Sequence, residues 1–288
     1  MKPILRAVGA IAIIAALSPL SALSPRLSAQ WPPYPTAGVP KTPDGKPDLT
    51  GPAPRTADGK PDLSGNWLRG DGQLGPAGGG TLRGPAPTFS IGPPVATFRD
   101  VGVNFKEGLP LQPWAADLVK ARRAENSKDN PDAHCLPMGL MQFHNHGQPR
   151  KMVQTPGLMV IVYEANYGLR WIFTDGRTLP GSEAQPWWYG YSAGRWEGDT
   201  LVVTTTGLRD GGWLDIIGNP LTDAATLTER FRRPNYGTLE IDVTIDDPKA
   251  YTKPWTVRVN QRIMLDGELM EFVCLENQKF TEFLKGRK

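Results

Sequence analysis

The sequence predicts a mainly β protein. It reads as an antiparallel up-and-down meander forming a barrel or strongly curved sheet, lipocalin-like, with one helix ahead of it. Three observations carry this. Segments rich in apolar and β-favouring residues recur at 157–165, 169–174, 187–196, 200–208, 225–233, 238–246, 256–265 and 269–275. Short turn-forming connections separate them, with longer loops only at 175–186 and 209–224. No helical periodicity intervenes, which excludes parallel βαβ units. A two-sheet sandwich is the alternative arrangement of the same strands.

Ahead of the meander the composition changes. The chain holds 32 Gly and 29 Pro, many of them on its N-terminal side. Lys2 and Arg6 precede a small apolar run, and Leu27-Ser28-Ala29 offers a small-residue cleavage site, so 1–29 reads as a secretory signal. Residues 30–110 read as a Pro/Gly-rich extended arm in which a short unit occurs twice, TPDGKPDLTG from Thr42 and TADGKPDLSG from Thr56. Asp-Gly and Lys-Pro are turn signals, and Leu63 and Trp67 are the residues through which such a segment would dock. Residues 111–288 read as a single β-rich domain opened by a helix over 113–126, with Pro113 in its first turn and Trp114, Leu118 and Ala121 on one face.

Charge and length exclude some functions. Thirty-two basic residues against 29 acidic ones leave a net charge of +3 with no long basic run, so no nucleic-acid partner is expected. Beyond the signal, no segment approaches the ~20 apolar residues of a membrane span. The expected partner is a small-molecule ligand, and oligomeric state is left open.

Alternation nominates interior polar residues. Leu227, Glu229 and Phe231 share a face, which places Glu229 toward the core. Val257, Val259, Gln261 and Ile263 do the same for Gln261, and Val160, Val162 and Glu164 for Glu164. Buried polar groups are costly unless paired or lining a cavity, so these positions mark either an ion-pair network or a site. If Glu164 and Glu229 face one cavity, they are an acid/base pair, with Arg170 as the anion or oxyanion partner. Trp187, Trp188 and Tyr191 are the stacking platform for an aromatic or glycoside-like ligand, and Arg177 lies in the loop before them. The turn Trp196-Glu197-Gly198-Asp199 reads as a hairpin rather than a site.

The three histidines, His134, His144 and His146, fall close together. His144 and His146 are the loop-borne alternative for catalysis. The three are also the candidate ligands should a divalent metal be present, although their spacing is not diagnostic and no cofactor is expected. Cys135 and Cys274 are the only cysteines, and in an exported protein such a pair forms a disulfide. No G-x-S-x-G, Rossmann fingerprint, P-loop or H-E-x-x-H is present.

The motifs PWA…HCLP, IFTDGR, GRWEGDTLVV, ERFRR and DDPKAYTKPW resemble an uncharacterised family of secreted proteins of environmental bacteria. The resemblance implies secretion and brings no activity with it. The chain departs from the family at Gly218-Asn219-Pro220-Leu221-Thr222, where relatives are histidine-rich, and His144 and His146 lie outside the family pattern.

The residues thus suggest an exported barrel that binds a small, partly apolar ligand and acts on it by acid/base chemistry as a lyase, isomerase or hydrolase. A non-catalytic periplasmic binding or assembly module is the alternative.

Overall fold

The computed structural model describes residues 35–70 and 88–276, all within the unit Tyr34–Lys288. The predicted signal and residues 30–34 and 71–87 of the predicted arm lie outside the described residues. The strands are β1 (Gly65–Arg69), β2 (Arg150–Thr155), β3 (Leu158–Tyr163), β4 (Leu169–Phe173), β5 (Tyr191–Glu197), β6 (Thr200–Thr206), β7 (Gly212–Trp213), β8 (Pro220–Leu221), β9 (Thr226–Asn235), β10 (Thr238–Asp246) and β11 (Trp255–Ile263). Among the described residues two α-helices accompany them, α1 (Pro113–Ala124) and α2 (Leu140–Asn145).

The predicted barrel is present. It closes in the order β1-β11-β10-β9-β6-β5-β4-β3-β2, while β7 and β8 form a separate two-stranded ribbon. The neighbouring pairs are antiparallel except β4 and β5, which run parallel and match only at Ile172↔Ser192 and Phe173↔Ala193. The long loop before β5 carries the chain back to the end at which β4 began. That pairing is therefore short, and the seam between β4 and β5 is open along part of its length.

Turn chemistry sets the hairpins. β5 and β6 meet through Gly198-Asp199, with Gly198 at φ +60°, the first loop position that a type II′ turn reserves for glycine. The expected WEGD turn is therefore scaffold. Its Asp199 also takes a two-pronged ion pair from Arg55, at 3.0 and 2.6 Å, which pins the second repeat unit to this hairpin.

The two repeat units fold alike. Thr42 N–H donates to Lys46 O and Gly45 N–H to Thr42 O, and the same bonds recur from Thr56 to Lys60 O and Gly59 to Thr56 O. After the second unit the chain enters the barrel. β1 pairs with β11 through Trp67↔Ile263 and with β2 through Trp67↔Arg150. Leu63 and Trp67, the predicted docking residues, are fully buried. Residues 65–69, within the stretch read as an arm, are thus a strand of the barrel.

The last predicted strand does not form. Residues 264–276 run as turns and irregular chain, because β11 already has β1 on its outer side and offers no free edge. Helix α1 is present, but it buries Ala115 and Val119 rather than the predicted Trp114 face. Trp114 is 46% exposed and donates its indole N–H to Lys249 O at 2.8 Å.

The interior is packed. Trp67, Met152, Met159, Ile161, Ile172, Leu201, Val203, Leu227, Phe231, Leu239, Ile241, Val243, Val257 and Val259 converge in one core. Helix α2 enters this core, and all six of its residues, Leu140 to Asn145, are buried. A helix buried on every side is a plug rather than a surface element.

Candidate functional site

Two places gather the nominated residues: a buried network inside the barrel and an open groove on its outside. Arg170 and Ser192 belong to both.

The network takes one side chain from each of four successive strands. Arg170 of β4 donates from Nη1 to Glu229 Oε1 of β9 at 2.9 Å, and its Nη2 bonds Glu229 Oε2. Arg170 also reaches Thr205 Oγ1 of β6 at 2.9 Å and Ser192 Oγ of β5 at 3.1 Å, and the two hydroxyls lie 2.9 Å apart. From the plug, His144 Nε2 meets Glu229 Oε1 at 2.7 Å. Alternation on β9 and β4 places these residues inward, between Leu227 and Phe231 on one strand and beside Ile172 on the other.

Electrostatics fix the protonation states. Burial pushes the Glu229 carboxyl up, but Arg170 and His144 outweigh it and hold the pKa at about 2. Burial pushes the His144 imidazole below its ordinary value, more than Glu229 lifts it, with Arg170 and Arg150 adding to the fall. The stable arrangement is a carboxylate, a guanidinium and a neutral imidazole that donates its Nε2–H, since an ionised carboxylate only accepts. Neither Glu229 nor His144 is exposed to solvent.

Glu164 is elsewhere. On β3 the inward residues are Met159, Ile161 and Tyr163, while Val160 and Val162 are only half-buried, so the predicted phase is reversed. Glu164 lies just past the strand in a helical conformation and is buried because the C-terminal segment covers it. It accepts Met270 N–H at 2.8 Å and Gln148 Nε2–H at 3.0 Å. Burial raises its pKa, against the pull of those two donors. Glu164 and Glu229 share no hydrogen-bond partner, and the expected acid/base pair is not assembled.

The histidines face three surroundings. His134 Nε2 lies 2.9 Å from Lys128 O at the surface. His144 is in the plug. His146 follows α2, accepts Gln148 N–H on Nδ1 at 3.1 Å and packs edge-on against Phe98. Its pKa falls to about 4, chiefly through burial and then through Arg150 and Arg69. The loop expected to carry His144 and His146 is instead helix α2, with His144 inside it and His146 just past its end. Among the described residues no group of three His, Cys, Asp or Glu side chains is placed to hold a metal ion.

Gln261 is fully buried, as alternation on β11 requires, and donates to His144 O at 3.3 Å. It supports the plug rather than the groove. Arg150 does the same more strongly: it is fully buried and donates to His144 O at 2.5 Å, His146 O at 2.8 Å and Gln148 O at 3.0 Å.

The groove lies at the β4/β5 seam. Its volume is about 670 Å³, and its lining includes Leu169, Trp171, Phe173, Trp187, Trp188 and Tyr191 together with Arg170, Arg177 and Ser192. Trp187 and Tyr191 stack with ring centres 4.5 Å apart. The guanidinium of Arg177 lies 3.6 Å from the centre of the Phe173 ring and is paired with Asp175 at 2.6 Å. Arg209 lies 4.9 Å from the centre of the Trp188 ring. Four of the residues nominated from sequence for ligand contact, Arg177, Trp187, Trp188 and Tyr191, therefore line one concavity.

Leu169, Trp171 and Arg209 were not foreseen. Leu169 and Trp171 alternate with the inward Arg170 and Ile172, and an apolar residue on both faces of a strand was the signal available. Ser192 and Thr205 carry no such signal, because hydroxyls alternate with apolar residues on many strands.

The predicted disulfide is present between Cys135 and Cys274, 139 residues apart, with Cα atoms 5.6 Å from each other. It ties the C-terminal segment, and with it Met270 over Glu164, to the loop before α2. Among the described residues no helix is long and apolar enough to cross a membrane. In comparison with known proteins, the chain matches no family model, no curated protein and no solved structure.

Proposed function

We propose that this barrel is an exported protein that binds a small, partly apolar ligand in the groove at the β4/β5 seam, and that it binds the ligand without transforming it. The observation that carries the reading is the convergence of Trp171, Trp187, Trp188 and Tyr191 on one concavity of about 670 Å³. That volume is in the range of small-molecule sites. Trp171 and Trp187 are 44% and 51% exposed there, an unfavourable state for large apolar side chains that a ligand would relieve.

Binding without chemistry is the better reading because the titratable residues are spent elsewhere. Glu229 is bonded to Arg170 and His144 and sealed from solvent. Its ionisation is fixed far from neutral pH, where a general base is least effective. Export accords with the disulfide, which persists in oxidising compartments.

The test is calorimetry of the full-length protein against small aromatic and sugar ligands, with Trp187→Ala and Trp171→Ala as controls. Saturable binding lost in both variants is the expected outcome. Binding unaffected by either substitution, or absent across the panel, would refute the assignment. Turnover of any bound compound would refute the non-catalytic half.

A further inference from the structure

We infer that the ligand of this groove is a planar aromatic anion, such as an aromatic carboxylate, rather than a sugar. This rests on the groove being a ligand site and goes further, to the chemistry it selects.

Polarity decides first. Apart from single N–H or O–H groups on its tryptophans and tyrosines, of which Tyr191 already donates to Gln185 O, the polar side chains lining the groove are Arg170, Arg177 and Ser192. Arg170 and Ser192 are turned into the barrel, bonded to each other, to Thr205 and, through Arg170, to Glu229. A sugar ring presents several hydroxyls, each of which loses water on binding and needs a partner in return. The side chains here cannot supply that set. A planar ring needs only faces, and Trp171, Trp187, Trp188 and Tyr191 provide them.

Charge decides second. No carboxylate is among the described lining residues, and besides Arg170, which Glu229 neutralises, the cations at the groove are Arg177 and Arg209. Each guanidinium is parked on an aromatic face, Arg177 on Phe173 and Arg209 on Trp188. Such stacking holds a long side chain in place before the ligand arrives and lowers the ordering cost of binding. The Arg177 charge is matched by Asp175. Arg209 has no carboxylate within ion-pair distance among the described residues. The groove thus keeps one guanidinium outside any ion pair next to its aromatic wall. A guanidinium binds a carboxylate in a fork of two parallel hydrogen bonds, a geometry that a neutral isostere cannot reproduce. Arg170 does not meet the anion, because Glu229 already occupies its guanidinium, and the role passes to Arg209, with the Asp175-paired Arg177 adding its charge at the groove wall.

Calorimetry with trans-cinnamate, its neutral isostere cinnamamide, and methyl β-glucoside tests this on the full-length protein. The expected result is cinnamate at least tenfold tighter than cinnamamide, weakened by added salt, with the preference lost in the double variant Arg177→Gln/Arg209→Gln. Equal affinity for cinnamate and cinnamamide, or a preference that survives in the double variant, overturns the anion assignment and leaves the ligand site standing. Glucoside binding in place of the two aromatic probes overturns the aromatic assignment in the same way. Binding of none of the three removes the ligand site itself, and this inference with it.

Discussion

Arg170 and Glu229 meet inside the barrel through two hydrogen bonds, although β5 and β6 lie between their strands in the sheet. Ser192 and Thr205 fill the gap, and His144 closes the far side of the carboxylate. The five residues form a polar seam through a core built mainly of apolar side chains. Such a seam is specific to one arrangement of strands, because a slip by one residue would bury a charge without its partner.

Removing one charge should be worse than removing both. Glu229→Gln leaves a buried guanidinium without its counter-ion, and loss of one partner of a buried pair costs about 3–5 kcal/mol. The double variant Arg170→Met/Glu229→Leu replaces the pair with apolar volume and is expected to be more stable than Glu229→Gln. Urea unfolding of the wild type, Glu229→Gln, Arg170→Met, Glu229→Leu and the double variant measures this. Additive losses would show that the pair does not act as a unit.

His146 should give the stability curve a slope on the acid side. Its folded pKa lies at about 4, below the ordinary 6.5. The unfolded chain then binds the proton first, so this contribution is full above about pH 6.5 and is lost as pH falls through about 4. His144 is shifted in the same direction. Asp215 opposes them, since burial raises it to about 6 and its contribution is lost as pH rises through that value. The wild-type curve therefore mixes two signs, and the histidine part is isolated by comparison with His146→Gln. Between pH 7 and pH 4 the wild-type Tm should fall further than the variant's. Parallel curves would contradict the buried neutral histidine.

Reducing the disulfide should loosen the C-terminal segment before the barrel. In the chain-entropy model, closing a loop of this length contributes about 5 kcal/mol. Cys135→Ala/Cys274→Ala should lower the urea midpoint and raise amide exchange at residues 264–276. Because Met270 N–H is a partner of Glu164, the exchange of that amide reports directly on the cover. Unchanged exchange there would mean that the segment is held by other contacts.

Truncating the groove should spare the fold. Trp171→Ala and Trp187→Ala remove side chains that are about half exposed, so each should cost less than the about 3–5 kcal/mol of a buried Trp→Ala change. Thermal unfolding close to wild type, together with lost ligand binding, is expected. A large drop in Tm would make these tryptophans structural.

Much of this was legible in the sequence, and the remainder was hidden for identifiable reasons. Strands with long alternating runs were found with the right inward face: Leu227, Glu229 and Phe231 on β9, and Val257, Val259 and Gln261 on β11. β3 is apolar on both faces, so alternation could not tell Val160 from Met159, and Glu164 was assigned to the core for the wrong reason. β1 and β2 escaped notice because one is five residues long and the other, RKMVQT, is mostly polar. α2 read as a loop around its histidines, and only its insertion into the core makes it a helix with a purpose. The Arg170–Glu229 pair joins residues 59 apart in sequence, which no local pattern reports.

The closure of the barrel through β1 also sets a timetable. Trp67 takes Arg150 on one side and Ile263 on the other, so the last ladder joins one end of the folded chain to the opposite end. Contacts so far apart in sequence form late, since the loss of chain freedom comes before the bonds that reward it. Until then β2 and β11 each expose an unpaired edge, the feature that invites strands from other molecules. The short GNWLR segment is therefore the latch of the barrel, since it alone covers the edges of both β2 and β11.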